Sequence, residues 1–241
     1  MDLNALHARF RLDPARTRNV YLVGSHAHGC ARETSDHDIF VVMEDDGRKW
    51  FGMQWMYREG WVAREPARYR GARRAFIGKP DVQLWIFQPA TFSAMLAGHA
   101  LCAIECLFVP PACVWKQTLD LRADFELELA ALQRSVETAA RIHREKAERL
   151  FTTQPPKGRR RKPLPPDPAQ ARKQLAHALR FLEYGRQLAQ HGALTDLGAS
   201  NTIRAEVVGC SGGWAELERR FTSVYKERLA AFRKACERPS A

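Results

Sequence analysis

The apolar residues of this chain change their spacing near residue 116, and that change limits the folds open to it. Before it they come in short runs rich in β-branched and aromatic side chains: Val20-Tyr21-Leu22-Val23, Ile39-Phe40-Val41-Val42-Met43 and Val82-Gln83-Leu84-Trp85-Ile86-Phe87. Runs of this kind, set between Gly and Pro breaks, predict strands. After it, Phe125, Leu129, Leu132, Val136, Ala140, His143, Ala147 and Leu150 recur every three or four residues, as do Leu217, Phe221, Tyr225, Leu229, Phe232 and Cys236. That period predicts amphipathic helices within 120–153, 169–191 and 212–236. The expectation is an α+β chain: an N-terminal domain over 1–116, opening with a helix to about Ala15, and a helical domain over 117–241. The helical part is interrupted at 152–168, where Gln154-Pro155-Pro156-Lys157-Gly158-Arg159-Arg160-Arg161-Lys162-Pro163-Leu164-Pro165-Pro166 cannot continue a helix and predicts an exposed basic linker.

Composition narrows the partners. With 241 residues, 45% of them hydrophobic, the chain can bury a real core, which excludes a disordered tail or a small disulfide scaffold. Lys and Arg number 38 against 27 Asp and Glu, a formal charge of +11, so the surface field favours nucleotides, nucleic acid or anionic lipid. No apolar run approaches the roughly 20 residues of a membrane span, and Met1-Asp2-Leu3-Asn4 does not open a signal peptide; the expectation is a cytoplasmic protein with no membrane partner. Six cysteines at irregular spacings, without a Cys-x-x-Cys pair, predict reduced and mostly buried thiols. No internal repeat or heptad array is present.

The chemistry-bearing pattern sits at the ends of the first two predicted strands. Gly24-Ser25 ends the first, and Asp36-His37-Asp38 opens the second. Alternation along a strand puts Asp36 and Asp38 on one side and His37 on the other, and two like charges held so close need a cation. Hard oxygen ligands suit Mg²⁺ or Mn²⁺, and Mg²⁺ takes one or two protein carboxylates while filling its shell with water and phosphate oxygens. Gly24 permits close backbone approach, so that the amides of Gly24 and Ser25 and the Ser25 hydroxyl are placed to hold a terminal phosphate. Transfer chemistry at such a site calls for a second ion about 4 Å away and a third carboxylate, for which Asp81 is the candidate; Gln83, on the same face, is suited to position a metal-bound water.

These residues resemble a known family. Gly24-Ser25-His26-Ala27-His28-Gly29 followed by Ser35-Asp36-His37-Asp38-Ile39 is similar to the signature of the polymerase β-type nucleotidyltransferase superfamily. More narrowly, it resembles the predicted bacterial and phage nucleotidyltransferases found beside RNA ligases. The stretches Asp81 to Phe87, Thr91 to Leu96 and Ile104-Glu105-Cys106-Leu107-Phe108 resemble the later parts of that pattern. The resemblance implies a mixed sheet flanked by helices, a nucleoside triphosphate as substrate, two Mg²⁺ or Mn²⁺ ions held by Asp36, Asp38 and Asp81, and transfer of a nucleoside monophosphate to an acceptor hydroxyl. It also implies nucleotide contacts from Gly24, Ser25 and His26 and from a helix carrying Lys173, His177 and Arg180. The chain departs from the pattern at His26, where arginine is frequent and where a phosphate contact requires a protonated ring, and in a long insertion between Asp45 and Lys79.

Other patterns compete with these. His26, His28, Cys30 and His37 invite a zinc assignment, but their spacing does not supply a closed tetrahedral site. Arg64, Arg68, Arg70, Arg73 and Arg74, interleaved with Trp50, Trp55, Tyr57, Trp61, Tyr69 and Phe76, suit either phosphate gripping with base stacking or packing on the core. The linker run Arg159-Arg160-Arg161-Lys162 suits nucleic acid or plain solvent. An RNA end, a protein side chain or a small hydroxylated molecule all fit as acceptor, with positive charge favouring RNA. The rival readings are a non-catalytic RNA- or nucleotide-binding protein of the same fold, a protein-modifying nucleotidyltransferase of the toxin–antitoxin type, and an interaction protein such as a regulatory or toxin–antitoxin partner that docks through its helical domain.

Overall fold

The computed structural model describes residues 2–44, 73–76, 82–152 and 166–237, the backbone alone for 73–76. Asp81, most of the basic and aromatic insertion and the linker run at 153–165 lie outside the described residues. The chain divides into two compact units, residues 1–127 and 128–241.

Unit 1 opens with helix α1 (Leu3–Phe10), capped by Asp2, whose carboxylate accepts from the Ala5 amide at 2.8 Å. Sequence spacing extends this helix to Ala15; the chain instead stops it at Arg11, in the left-handed region at φ 50°, and Pro14 follows. Strands β1 (Thr17–Val23), β2 (His37–Met43), β3 (Arg73–Phe76), β4 (Val82–Phe87) and β5 (Val114–Gln117) form one sheet in the order β3-β4-β2-β1-β5. All neighbours are antiparallel except β2 and β4, so the sheet is mixed. Helices α2 (Pro89–Ala97) and α3 (Leu101–Cys106) follow β4. β1, β2 and β4 are buried along nearly their whole length, which explains their continuous apolar runs.

The strand register carries the core into the site. Tyr21, Phe40 and Trp85 stand opposite one another across β1, β2 and β4 and so share a face, with Phe40 and Trp85 rings 5.2 Å apart and Phe92 of α2 packed 6.3 Å from Tyr21. Two residues earlier along β2 and β4, the same face carries Asp38 and Gln83. The aromatic row thus ends in polar side chains at one end of the central strands. Unit 1 continues past β5 because buried Asn19 holds residues 118–119 to β1: its Oδ1 accepts from the amides of Thr118 and Leu119 at 3.0 Å each.

Residues 120–128, expected to be helical, are not. The Asp120 carboxylate accepts from the amides of Arg122 and Ala123 at 3.2 Å each, a local turn that outcompetes the helix, and Phe125 packs against His99 instead, ring centres 5.5 Å apart. Unit 2 therefore begins with α4 (Leu129–Thr152), followed by α5 (Pro168–His191), α6 (Asn201–Gly209) and α7 (Trp214–Cys236). Asp167 caps α5 through the Gln170 amide at 2.9 Å with Pro168 in its first turn, and Gly192 ends it at φ 64°. Leu132, Val136, Leu179, Leu182 and Phe232 are fully buried where α4, α5 and α7 pack together. Among the described residues no helix is long and apolar enough to cross a membrane.

Candidate active site

β1 ends at Val23, paired with Asp38 of β2. The next residue, Gly24, lies in the left-handed region at φ +69°, and a Cβ there would collide with Asp38 Oδ2 and stand 3.2 Å from Asp38 Cβ and Cγ. Any side chain at this position would therefore displace the carboxylate. The chain then makes a single helical turn: the amide of His28 donates to the Gly24 carbonyl at 3.0 Å. Cys30 closes the turn onto Ser25 at 3.0 Å and Gly29 onto His26 at 3.2 Å, with Gly29 left-handed at φ +68°. Because the first hydrogen bond inside the turn comes from His28, the amides of Ser25, His26 and Ala27 have no acceptor within it, as at any helix start.

A second turn sets Asp36. The Ser35 hydroxyl accepts from the Arg32 amide at 2.8 Å while the Ser35 amide donates to the Arg32 carbonyl at 2.8 Å. Asp36 Oδ2 accepts a 2.5 Å hydrogen bond from Gln83 Nε2, the residue opposite Asp38 on β4. Gln83, expected to serve a metal-bound water, thus holds a carboxylate directly. Asp36 and Asp38 are both half-buried, and hydrogen bonding to Gln83 fixes one of them while the absent side chain of Gly24 makes room for the other.

The histidines of the motif separate. His26 stacks on His37 with ring centres 4.6 Å apart, and its Nε2 is buried with no hydrogen-bond partner among the described residues. His28 is buried, and its Nε2 lies 2.8 Å from Oε1 of Glu105 on α3, pinning the Gly24–Cys30 turn to that helix. Sequence reasoning quoted Glu105 without giving it this role. The contact joins residues 77 apart in the chain and has no local signature. Among the described residues no cluster of three or more His, Cys, Asp or Glu could hold a metal. Burial, then the Glu105 charge, pushes the Cys102 thiol up to about 12 and that of Cys106 well above the ordinary thiol range.

The donor set suits a divalent metal in its chemistry. Two half-buried carboxylates at the start of the central strand, with a glycine cradle beneath one of them, present hard oxygens and leave room for phosphate and water, which is how Mg²⁺ is usually bound.

Lys173, His177 and Arg180 lie on α5 of unit 2, at helical spacings of four and three. Lys173 is exposed, His177 half-buried, and Arg180 only 3% exposed, with Nε and Nη2 finding no acceptor among the described residues.

Residues 7–88 match the family described as "Nucleotidyltransferase domain". A solved structure, a nucleotidyltransferase-like protein from Exiguobacterium sibiricum 255-15, is 13% identical, with 97% of this chain and 73% of that one covered; its TM-score of 0.31 is too low to carry an argument. No curated protein matches. The matched segment contains the Gly24 turn, both carboxylates and Gln83, the parts that the fold gathers at one end of the central strands. Residues 7–88 are thus similar to a nucleotidyltransferase domain, a family whose general chemistry is nucleotidyl transfer.

Proposed function

We propose that the chain is a metal-dependent nucleotidyltransferase that moves a nucleoside monophosphate from a nucleoside triphosphate to an acceptor hydroxyl. The observation that carries this is the Gly24 cradle, in which the backbone leaves space for the Asp38 carboxylate while Gln83 fixes Asp36 beside it. The left-handed backbone by itself favours glycine at position 24, as it does at Gly29, but only at position 24 would a Cβ also meet a carboxylate.

The amides at the start of the Ser25 turn and the Ser25 hydroxyl hold phosphate oxygens of the triphosphate, with His26 beside them. Asp36 and Asp38, with Asp81, hold two Mg²⁺ or Mn²⁺ ions, and ions bound there neutralise the phosphate charge and favour the alkoxide form of the acceptor. Asp81 takes the proton from the acceptor hydroxyl. The acceptor oxygen then bonds to the α-phosphorus as the α–β phosphoanhydride breaks, and pyrophosphate departs with that bond's electron pair. The protein contributes mostly by positioning and charge stabilisation. Lys173, His177 and Arg180 contact the nucleotide. The net charge of +11 favours RNA over a neutral acceptor.

The test is incubation of the purified chain with each α-labelled nucleoside triphosphate, Mg²⁺ or Mn²⁺, and pooled cellular RNA and protein. Label is expected on one acceptor class with the intact chain and on none with Asp36→Ala/Asp38→Ala. Absence of transfer together with nucleotide-independent RNA binding would favour a binding protein of the same fold.

A further inference from the structure

One amide side chain decides where the hydroxyl proton of Tyr21 can go. Asn19 Oδ1 accepts from the backbone amides of Thr118 and Leu119 at 3.0 Å each. Turned over, the amide would set its NH₂ against two backbone N–H groups, so the backbone fixes its orientation and the other end can only donate. Nδ2 gives one proton to the Leu119 carbonyl at 3.0 Å and the other to Tyr21 Oη at 2.7 Å. Tyr21 Oη is therefore the acceptor in this bond, and its own proton finds no acceptor among the described residues. Burial, then the neighbouring Cys106 thiol, pushes Tyr21 up to about 12, so that proton is present at neutral pH. Tyr21 is only 2% exposed, and a donor buried so deeply is normally paired.

Tyr21 lines a cavity of about 410 Å³ within unit 1, bounded by β1, the end of α3 and the chain from Leu107 to Arg122. Cys106 and Asp120, whose charges act on the Tyr21 hydroxyl, line it too, so the hydroxyl end of the ring is the end that borders it. Its volume is at the small end of the roughly 300–1,000 Å³ of ligand sites. Leu107, Val109 and Val114 give it apolar walls, and the exposed Asp120 and Arg122 stand at its mouth. Among the described residues neither of these two has an ion-pair partner. Asp120 Oδ1 accepts from the amides of Arg122 and Ala123 at 3.2 Å each, which leaves Oδ2 open, and the Arg122 guanidinium lies over the Phe108 ring, 4.5 Å from its centre. Gly24, Asp36 and Asp38 do not line this cavity.

These features select a class of ligand. An anion such as phosphate is drawn to Arg122 but repelled by Asp120, and a simple cation meets the reverse; a molecule bearing both charges suits both. Tyr21 adds a neutral donor and so calls for a further acceptor oxygen. The walls take hydrocarbon. An apolar α-amino acid combines these parts: a carboxylate with two oxygens, an ammonium group beside it, and an apolar side chain.

We propose that this cavity of unit 1 is a binding site for a small apolar amino acid. Arg122 and the Tyr21 hydroxyl hold its carboxylate, Asp120 its ammonium group, and Leu107, Val109 and Val114 its side chain. The site uses none of the residues of the transferase reading and does not rest on it.

The test is isothermal titration calorimetry of the full chain, without metal or nucleotide, against valine, leucine, methionine and phenylalanine, with glycine beside them. At least one of the four is expected to bind saturably, and glycine is not. The N-acetyl form of the tightest, which lacks the ammonium charge, and its amide, which lacks the carboxylate, are each expected to bind about 10-fold more weakly, the scale of one hydrogen bond to a charged group. Tyr21→Phe keeps the ring and is expected to weaken the amino acid to a similar degree. Asp120→Asn keeps the carbonyl oxygen that holds the local turn; it should weaken the amino acid about 10-fold and leave the N-acetyl form unchanged. Arg122→Gln should weaken the amino acid and leave the amide unchanged. Both positions are exposed, and thermal melts check that these variants fold as the parent does. No saturable binding by any of the four would mean that water alone satisfies Tyr21, and would overturn the proposal. So would binding that Tyr21→Phe and Asp120→Asn leave untouched, or equal losses for the amino acid and its N-acetyl form in Asp120→Asn. Asp36→Asn/Asp38→Asn should bind the amino acid as the parent does, so that this site and the transferase reading fail separately.

Discussion

Replacing Gly24 by alanine separates backbone strain from the placement of Asp38. Gly24 and Gly29 lie in the same left-handed region, at φ +69° and φ +68°. An L-residue there costs about 1–2 kcal/mol at either position, or several degrees in melting temperature for a domain of this size. The two differ in what a Cβ meets: at Gly29 nothing lies within 4 Å, whereas at Gly24 it runs into the Asp38 carboxylate. Gly29→Ala should therefore lose stability and keep its activity. Gly24→Ala should lose at least as much stability and, with Asp38 pushed off its position, about 100-fold in kcat, the scale that roughly 1 Å of misplacement costs a reacting group. The assay is nucleotide transfer under saturating substrate, run well below both melting temperatures and beside thermal melts of the two variants. Equal losses of kcat would refute the argument, because the strain is common to both and the carboxylate contact is not.

Three further outcomes follow from the packing. Burial, then the charge of Lys146, lowers His143 from 6.5 to about 4. A depressed folded pKa on a histidine means that the neutral ring is favoured on folding, so this stability is complete above pH 6.5, is lost as pH falls from 6.5 to 4, and reaches about 3 kcal/mol. Urea denaturation of the intact chain should show that fall, and His143→Leu should flatten it; parallel profiles would contradict the assignment. Gly185→Ala should destabilise unit 2 by about 1–2 kcal/mol despite alanine's better helix propensity, because its Cβ would come within 2.9 Å of Val136 and Phe232; calorimetry showing stabilisation would contradict this packing. Glu105→Ala should cost about 1–3 kcal/mol by removing the Glu105 contact from buried His28, and should raise KM for the nucleoside triphosphate as the phosphate-holding turn loses that anchor, whereas an unchanged KM would detach that turn from binding.

The features legible in the sequence were those set by short-range pattern. The three apolar runs became β1, β2 and β4 because strands covered on both faces need continuous apolar side chains, and the Gly-Ser and Asp-x-Asp spacing places the turn and the carboxylates at their ends. The period of three to four found α4, α5 and α7, but it also carried Phe125 into a helix that the Asp120 turn prevents. Short elements with weak pattern, β5 and α6, were missed, since pairing with β1 and packing against α5 rather than local propensity stabilise them. The Gln83–Asp36 and Glu105–His28 bonds join residues 47 and 77 positions apart and needed the tertiary fold to appear. His143 stands within the apolar stripe of α4, where a polar side chain must be satisfied by something, and its hydrogen bond with Gln174 of α5 needed the tertiary fold to appear.

The central claim is that Asp36 and Asp38, beside the Gly24 turn, support transfer of the α-phosphoryl group with its nucleoside. The most direct measurement supplies the nucleoside triphosphate labelled at either the α- or the γ-phosphate, with the acceptor found in the screen, to the parent chain and to Asp36→Asn and Asp38→Asn. The account predicts α-label on the acceptor, γ-label released as pyrophosphate, and both lost in each variant. γ-Label on the acceptor, or α-label transfer undiminished in either variant, would contradict it.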